Sequence, residues 1–599
     1  MKRIVRWQFW ILLVITCLSF GLRLYGLNWD SGNSFHPDER EILFHVTTIS
    51  WPTSFSQFLN PLTSPLNPKF FAYGSFPIYL LALVGHLLGY QLSDATNFVP
   101  LTLVGRVISA LFDSGTVLLT GCLGLVLARK TPLLQAYAWN MALLSAAFMT
   151  FSPLDLQLSH FYTVDTLLSF FLLLTVLACV LLVDAERIIG WYALAGVAYG
   201  LALATKFSAA PLALVLVVAT GLRWYRRRDF LSSAVALLWA AVLVILIFFV
   251  TQPYALLDMS NYIQQVSEQS NLVRGSLDLP YVRQFFGTVP VLYQGKNLVL
   301  WGLGVTLGIT SLLGLIWLCW LLWHDIFSPW LLIFSWVVVY GAIVCTFFVK
   351  YMRYMLPLYP FLVVIAAAFL IVVLQRVRWL DEHYLERFHW MTPFLQAGLI
   401  ILVLGGTIFQ GLALLNVYSE PNTRLQASAW IYQHIPSGSV LTYEQWDDSL
   451  PVPIAGHTPG MYVQESYVEG GQTVTGLDLY GDDTQAKAQL LASILPKVNA
   501  ITMPTDRLDK SIPKDPQRYP LTTRYYQLLF SGQLGFHLAA TFENHPHLFG
   551  ITLDDSNADE SYSVFDHPTA RIFVRVTPYP YTSQQLLAKL LSGVRLPSY

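Results

Sequence analysis

The stretch "SFHPDERE" (Ser34–Glu41) sets Asp38 and Glu39 side by side, and "SPLDLQLSHFYTVDTLLSFF" (Ser152–Phe171) carries Asp155, Gln157, His160, Tyr162 and Asp165. A carboxylate of this kind can take the proton of a hydroxyl as that hydroxyl attacks an electrophile. Both stretches border long apolar runs, and a carboxylate facing lipid costs about 2.5–3.5 kcal/mol even on lenient scales. Acids are therefore expected there only where water, a cation or a protein cavity receives them. A plainer reading stands beside this one: Pro37 opens a helix whose N-terminal dipole favours Asp38, Glu39 and Glu41. Cations occupy comparable positions: Lys69 in "NPKFFAYGSFPIYL", Arg106, Lys206 in "ATKFSAAP", and Lys350 and Arg353 in "VKYMRYMLPLYPF". Such residues at helix ends suit an anionic group, phosphate in particular; for each alone, snorkelling to the interface is the alternative. Asp113 follows Arg106 by seven residues on the same helical face and is expected to be a structural partner.

The elements that must position these groups are mostly apolar helices. Of 599 residues 55% are hydrophobic, 14% aromatic and 12% charged, against about 25% charged in a soluble chain. Segments of spanning length fall at residues 8–27 (read as a retained first helix), 103–128, 135–153, 163–183, 188–205, 207–222, 230–250, 298–322, 328–349, 354–375 and 394–416. This predicts a polytopic α-helical membrane protein of about eleven spans. Lys2, Arg3 and Arg6, then Arg129 and Lys130, then Arg223 and Arg226–Arg228, then Arg376 and Arg378 all fall on one side of that layout, which the positive-inside rule makes cytoplasmic. Asp38, Asp165, Lys206 and Arg353 then share the opposite face. The long first outer loop, residues 28–102, contains "SFPIYLLALVGHLLGY" (Ser75–Tyr90), short for a span and read as an interfacial helix.

Residues 1–417 form the membrane part in this reading, and residues 418–599 an extracytoplasmic α/β or α+β domain. Its expected elements are an amphipathic helix at Thr423–Ile435, strands at Gly438–Glu444, Val498–Met503 and Ala570–Val576, and a helix near Thr522–Leu529. The five cysteines lie in apolar runs and none in the polar C-terminal third, so no disulfide framework or zinc site is encoded. A net charge of −1 gives no sign of a nucleic-acid partner.

The ordered set — an apolar first helix, "DE" in a long loop, the acid after "SHFYTVD", then "GLALATKFSAAPLAL" and "RYMLPLYPF" — resembles the GT-C membrane glycosyltransferases of the protein O-mannosyltransferase and aminoarabinose transferase (PMT/ArnT) type over most of residues 1–420. The resemblance implies a GT-C-like fold in the plasma (inner) membrane and transfer of a sugar from a polyprenyl-phosphate carrier to an acceptor hydroxyl on the outer face. It makes Asp38 the general base, Glu39 its paired carboxylate, and Asp165 the acid that arranges acceptor or base. Lys206, Arg353, Lys350, Lys69 and Arg106 would bind the donor's phosphate, with His160 also substrate-binding; Tyr162 and the aromatics of Phe70–Phe76 would stack on sugar, hold the prenyl chain, or simply pack. No cofactor is required and no metal implied, although Asp38, Glu39, Asp165 and His160 could hold one. The family's lysine before a Pro-Pro-Leu stretch has no exact counterpart, Lys69 standing upstream of "SFPIYL". The motifs "YEQWDDSLP" and "SYSVFDHP" lie outside the general pattern and leave the acceptor open.

Two other classes compete. A transporter or flippase places its charges along a path through the midplane, often in repeated halves; here they gather on one face and no repeat is visible. A non-catalytic scaffold for glycan assembly would bind through residues 418–599 without turnover.

Overall fold

The computed structural model describes residues 4–384, 390–469 and 471–597; Lys2 and Arg3 of the N-terminal basic cluster lie outside the described residues. The membrane part is built from α1 (Ile4–Leu24), α2 (Pro37–Thr48), α3 (Phe76–Leu87), α4 (Phe98–Arg129), α5 (Ala138–Thr150), α6 (Pro153–Leu158), α7 (Val164–Leu182), α8 (Ile189–Thr205), α9 (Leu212–Arg227), α10 (Phe230–Thr251), α11 (Val305–His324), α12 (Trp330–Cys345), α13 (Tyr359–Tyr384), α14 (Thr392–Ile400) and α15 (Gly406–Leu415). Among the described residues eight helical stretches are long and apolar enough to cross a membrane, while α8 and α12 are shorter apolar helices and α5 has 13 residues. All eleven expected segments are thus helical, and eight reach spanning length. The chain is an integral membrane protein. At its centre stands α13, apolar all round and with every side chain from Phe361 to Ala368 buried, as a helix enclosed by others must be. In contrast α10 leaves Leu231, Leu238 and Ile245 exposed, an apolar surface suited to lipid.

Arg23 in α1 is fully buried between two acids, with Nη2 2.6 Å from Asp155 and Nε on Asp113, and with Nη1 2.6 Å from Ser19 Oγ. Asp113 is therefore a structural partner as expected, but of Arg23 rather than Arg106. The knot fastens α1 to α4 and α6.

Beyond α15 the chain turns polar at Asn416–Ser419 and enters α16 (Thr423–His434). Among the described residues nine strands follow: β1 (Val440–Tyr443), β2 (Val463–Gln464), β3 (Ser466–Glu469), β4 (Gln472–Thr475), β5 (Ala500–Met503), β6 (Phe536–Phe542), β7 (His547–Leu548), β8 (Ile551–Thr552) and β9 (Ala570–Arg575). The five-stranded sheet has the order β2-β1-β5-β9-β6, parallel across β2, β1 and β5 and antiparallel across β5, β9 and β6. The expected strands are β1, β5 and β9, and the expected helices are α16 and Pro520–Phe530. The short hairpins β3–β4 and β7–β8 are additional.

Sheet and membrane helices meet at "SYSVFDHP". Gln157 Nε2 donates to Asp566 Oδ2 at 2.9 Å and to the Tyr562 carbonyl at 2.6 Å, and the Tyr418 hydroxyl donates to Asp566 at 2.7 Å. His567 lies between Asp566 and Asp555, 2.7 Å from each. Burial opposes its charge, but Asp566 and then Asp555 outweigh burial and raise the imidazole to about 10. An unfolded histidine titrates near 6.5, so this stabilisation is complete below about pH 6.5 and drains away as pH climbs towards 10. Thermal unfolding of the purified chain should therefore show a midpoint that falls between about pH 7 and pH 10. His567→Gln should flatten that dependence; an unchanged slope in the variant would refute the assignment.

Candidate active site where the sheet module meets the helices

His36 caps α2 by accepting the Glu39 N–H at Nδ1, 3.4 Å away, and Pro37 opens the helix. Adjacent helical positions diverge by about 100°, so α2 sends its two acids to different places. Glu39 turns inward to Arg106. Arg106 Nε and Nη2 donate to the two Glu39 oxygens at 2.9 and 2.7 Å, Nη1 and Nη2 donate to Asp30 at 3.1 and 2.7 Å, and Nη1 also donates to the Leu27 carbonyl at 2.8 Å. That uses all five guanidinium donors. Glu39 Oε1 accepts the Tyr162 N–H as well, at 2.8 Å, and the three charged side chains are fully buried. Two expectations are corrected here: Arg106 has no donor left for a phosphate, and Glu39 has both oxygens engaged away from any substrate. Together they clamp the first loop onto α4 and the turn before α7, since removing one partner of a buried ion cluster costs about 3–5 kcal/mol.

Asp38 faces the other way and pairs with Arg353, which stands on the 3-10 turn Met352–Leu358 leading into α13; the two side chains are 17% and 15% exposed. The Tyr73 hydroxyl is directed at the same carboxylate. Asp165, in the first turn of α7, binds Lys206 at 2.8 Å. Lys206 terminates α8 and its Nζ sits 5.3 Å above the Tyr354 ring, while Arg353 lies 5.1 Å over Tyr351. The pairs are neighbours: burial raises the Asp38 carboxyl, but Arg353, His36, Tyr73 and Lys206 outweigh it and hold the group below the ordinary carboxylate range. Two acids and two cations from four separated stretches thus converge.

Gly74 makes the approach possible. Its N–H donates to the Thr205 carbonyl at 3.0 Å, and a Cβ there would stand 1.8 Å from the Ala204 oxygen. Gly74→Ala must therefore push Tyr73 away from the α8 terminus that carries Lys206. A displacement of about 1 Å can cost about 10²-fold in rate, and we expect a loss of that order in turnover by membranes containing equal amounts of folded protein. Undiminished turnover would mean that the Tyr73–Lys206 spacing is immaterial.

The remaining expected residues make other contacts. His160 is buried, its ring nitrogens 2.8 and 2.9 Å from the Leu156 and Tyr25 carbonyls and its ring stacked on Tyr418. The buried Tyr162 hydroxyl donates to the Pro77 carbonyl at 2.7 Å. Both have their polar atoms engaged by the surrounding backbone. Lys350 donates to the Phe348 carbonyl at 2.8 Å, with Phe285 and Phe348 beneath its ammonium. Lys69 is exposed, its Nζ 3.4 Å from the Leu62 carbonyl. Asp38, Glu39, Asp165 and His160 do not assemble into a ligand set: among the described residues no group of three or more His, Cys, Asp or Glu side chains could hold a metal ion.

Sequence reading misses His36 and Tyr354 as site residues, and takes Tyr73 only as one of the Phe70–Phe76 aromatics rather than as a partner of Asp38. His36 lies between Phe161 and Phe565, with ring centroids 4.6 and 4.1 Å away, and its Nε2 is buried without a hydrogen-bond partner. Burial, only partly offset by Asp38, lowers it to about 4, so it is neutral at physiological pH. The tyrosines sit in aromatic-rich runs, "FFAYGSF" and "KYMRYML", where packing is the default expectation. The C-terminal module closes this region through Phe565, through Ser561 Oγ, which accepts the Met352 N–H at 3.4 Å, and through Asp448, paired with Arg40 at 2.9 Å. The two motifs outside the family pattern are the ones that touch the site.

Residues 133–254, which contain Asp165 and Lys206, match the family model described as dolichyl-phosphate-mannose-protein mannosyltransferase. The match bears out the resemblance to membrane glycosyltransferases. No curated protein matches the chain in sequence. Among solved structures, the archaeal oligosaccharyltransferase AglB from Archaeoglobus fulgidus, in complex with an inhibitory peptide and a dolichol-phosphate, is 12% identical; the alignment covers 92% of this chain and 75% of AglB with a TM-score of 0.49. ArnT from Cupriavidus metallidurans, bound to undecaprenyl phosphate, is 15% identical over 97% of this chain and 99% of its own, with a TM-score of 0.43.

Proposed function

We propose that this chain, which reads as a GT-C membrane glycosyltransferase, moves a sugar from a polyprenyl-phosphate carrier to an acceptor hydroxyl on the extracytoplasmic face, with inversion at the anomeric carbon. The observation that carries this reading is the paired quartet Asp38–Arg353 and Asp165–Lys206. Orientation is supported by the far ends of α4 and α9, where Lys130 and Arg226 share Asp184; the 23 residues from Arg106 to Arg129 correspond to about 35 Å of helix. The basic ends are thus cytoplasmic and the quartet is not.

The ion pairs suggest the order of events. With no donor bound, Arg353 holds Asp38 ionised and a poor base. A donor phosphate competes for Arg353 and Lys206, and Asp38, losing its partner, becomes more basic as the acceptor hydroxyl arrives. Asp38 then takes the hydroxyl proton while the acceptor oxygen bonds to the anomeric carbon and the bond from that carbon to the phosphate oxygen breaks. Arg353 and Lys206 receive the charge that develops on the leaving phosphate, the kind of preorganised stabilisation worth about 2.7–4 kcal/mol per donor. Asp165 holds Lys206 in place. The boundary at residue 417 divides this catalytic part from a module that supplies a wall of the site.

The test is reconstitution of the full chain in proteoliposomes with polyprenyl-phosphate-linked sugars and membrane-derived acceptors. Transfer of label from the lipid with inverted configuration is expected. Movement of the lipid between leaflets without transfer would establish the transporter reading instead.

A further inference from the structure

The β7–β8 hairpin breaks a local rule. Its two-residue loop, Phe549 and Gly550, has positive φ at both positions, 52° and 77°, the backbone of a type I′ turn. The first position of such a turn favours Asn, Asp or Gly, because a Cβ at left-handed φ crowds the carbonyl oxygen. A phenylalanine is poorly suited to it, and the protein's own packing does not compensate: Phe549 is 89% exposed, and Ile551 beside it 56%.

The hairpin is firmly placed. Strand β7 packs on α15 and on the following turn Asn416–Ser419, and Asn544 Nδ2 donates to the Val417 carbonyl at 2.9 Å. At its base the Leu553 N–H donates to the Pro546 carbonyl at 2.8 Å. His545 lies 2.5 Å from Asp555, which in turn binds His567. Where α15 ends, the last apolar segment gives way to Asn416, so the polar boundary of the bilayer must lie at this level. Glu543 and Asp554 flank the hairpin near its base, leaving the tip as the apolar part.

We infer that the Phe549–Ile551 tip is an interfacial anchor that seats in the phospholipid headgroup and upper acyl region beside the end of α15. Aromatic and aliphatic side chains carried on a polar scaffold settle at that depth. The anchor pins the sheet module against the membrane through the same Asp555–His567–Asp566 network that ties it to Gln157. It does not depend on which sugar, if any, the quartet transfers.

The full chain carrying p-benzoylphenylalanine at position 549, in nanodiscs of phosphatidylethanolamine and phosphatidylglycerol, should on irradiation gain the mass of one phospholipid. A photoproduct of twice the chain mass would assign the tip to a second copy and overturn the proposal, as would the absence of any lipid adduct. Phe549→Asn, better suited to the turn, keeps the test independent of folding. It should retain the wild-type melting temperature but lose the hydrogen-exchange protection of residues 547–553 that nanodiscs give over detergent. Retained protection, or no such difference in the wild type, would overturn the anchor.

Discussion

Asp38→Asn is expected to abolish sugar transfer while leaving the protein folded and the donor bound. The amide is nearly isosteric and its oxygen can still accept from Arg353 and Tyr73, so the first loop keeps its place. It cannot take a proton at neutral pH. A positioned base contributes about 10²–10⁴-fold to rate, and the fall should appear in kcat. The Michaelis constant for the donor should stay level or drop, because the variant no longer competes with the phosphate for Arg353 through a full negative charge. Single-turnover assays with matched melting temperatures separate these effects. Wild-type turnover in the variant would remove Asp38 from the chemistry. A raised donor constant with unchanged kcat would instead make it a binding residue.

Arg353→Ala should be the second most damaging change and should differ in kind. Loss of one donor to the developing oxyanion corresponds to about 10²–10³ in rate, accompanied here by weaker binding of the lipid phosphate. It also removes the cation that does most to keep the Asp38 carboxyl below its ordinary range. The acid limb of kcat/KM, where loss of activity marks protonation of the base in the free enzyme, should therefore move to higher pH. Arg353→Lys should recover part of the rate and most of the pH shift, since charge is restored but the planar fork is not. An acid limb that stays in place in Arg353→Ala would show that Asp38 is not the group it reports. The buried cations give a contrast: a change at Arg106 should be felt first in folding, because its five donors are spent on Asp30, Glu39 and the Leu27 carbonyl.

Several features were legible in the sequence because they follow from local composition. Apolar length fixed the helices, Pro37 fixed the start of α2, and short β-branched and apolar runs in the polar tail marked β1, β5 and β9. The expense of a carboxylate beside lipid marked Asp38, Glu39, Asp155 and Asp165 as residues needing a partner. None of this could choose the partners. Glu39 and Asp38 are neighbours in the chain with the same chemistry, and only the facing of α2 assigns one to a sealed knot with Arg106 and the other to the half-buried pair with Arg353. Arg23 drew no notice in the first apolar helix, yet it pairs with both Asp113 and Asp155.

The sequence alone therefore determined that this chain crosses membranes repeatedly and predicted that the candidate site's acids and bases share one face, because transfer out of water penalises each residue where it stands. Which of them remain available to a substrate was decided by tertiary structure. Ion pairing depends on distances between segments more than a hundred residues apart, such as α2 bearing Asp38 and the 3-10 turn bearing Arg353, and on a close backbone approach that Gly74 permits and any side chain there would block.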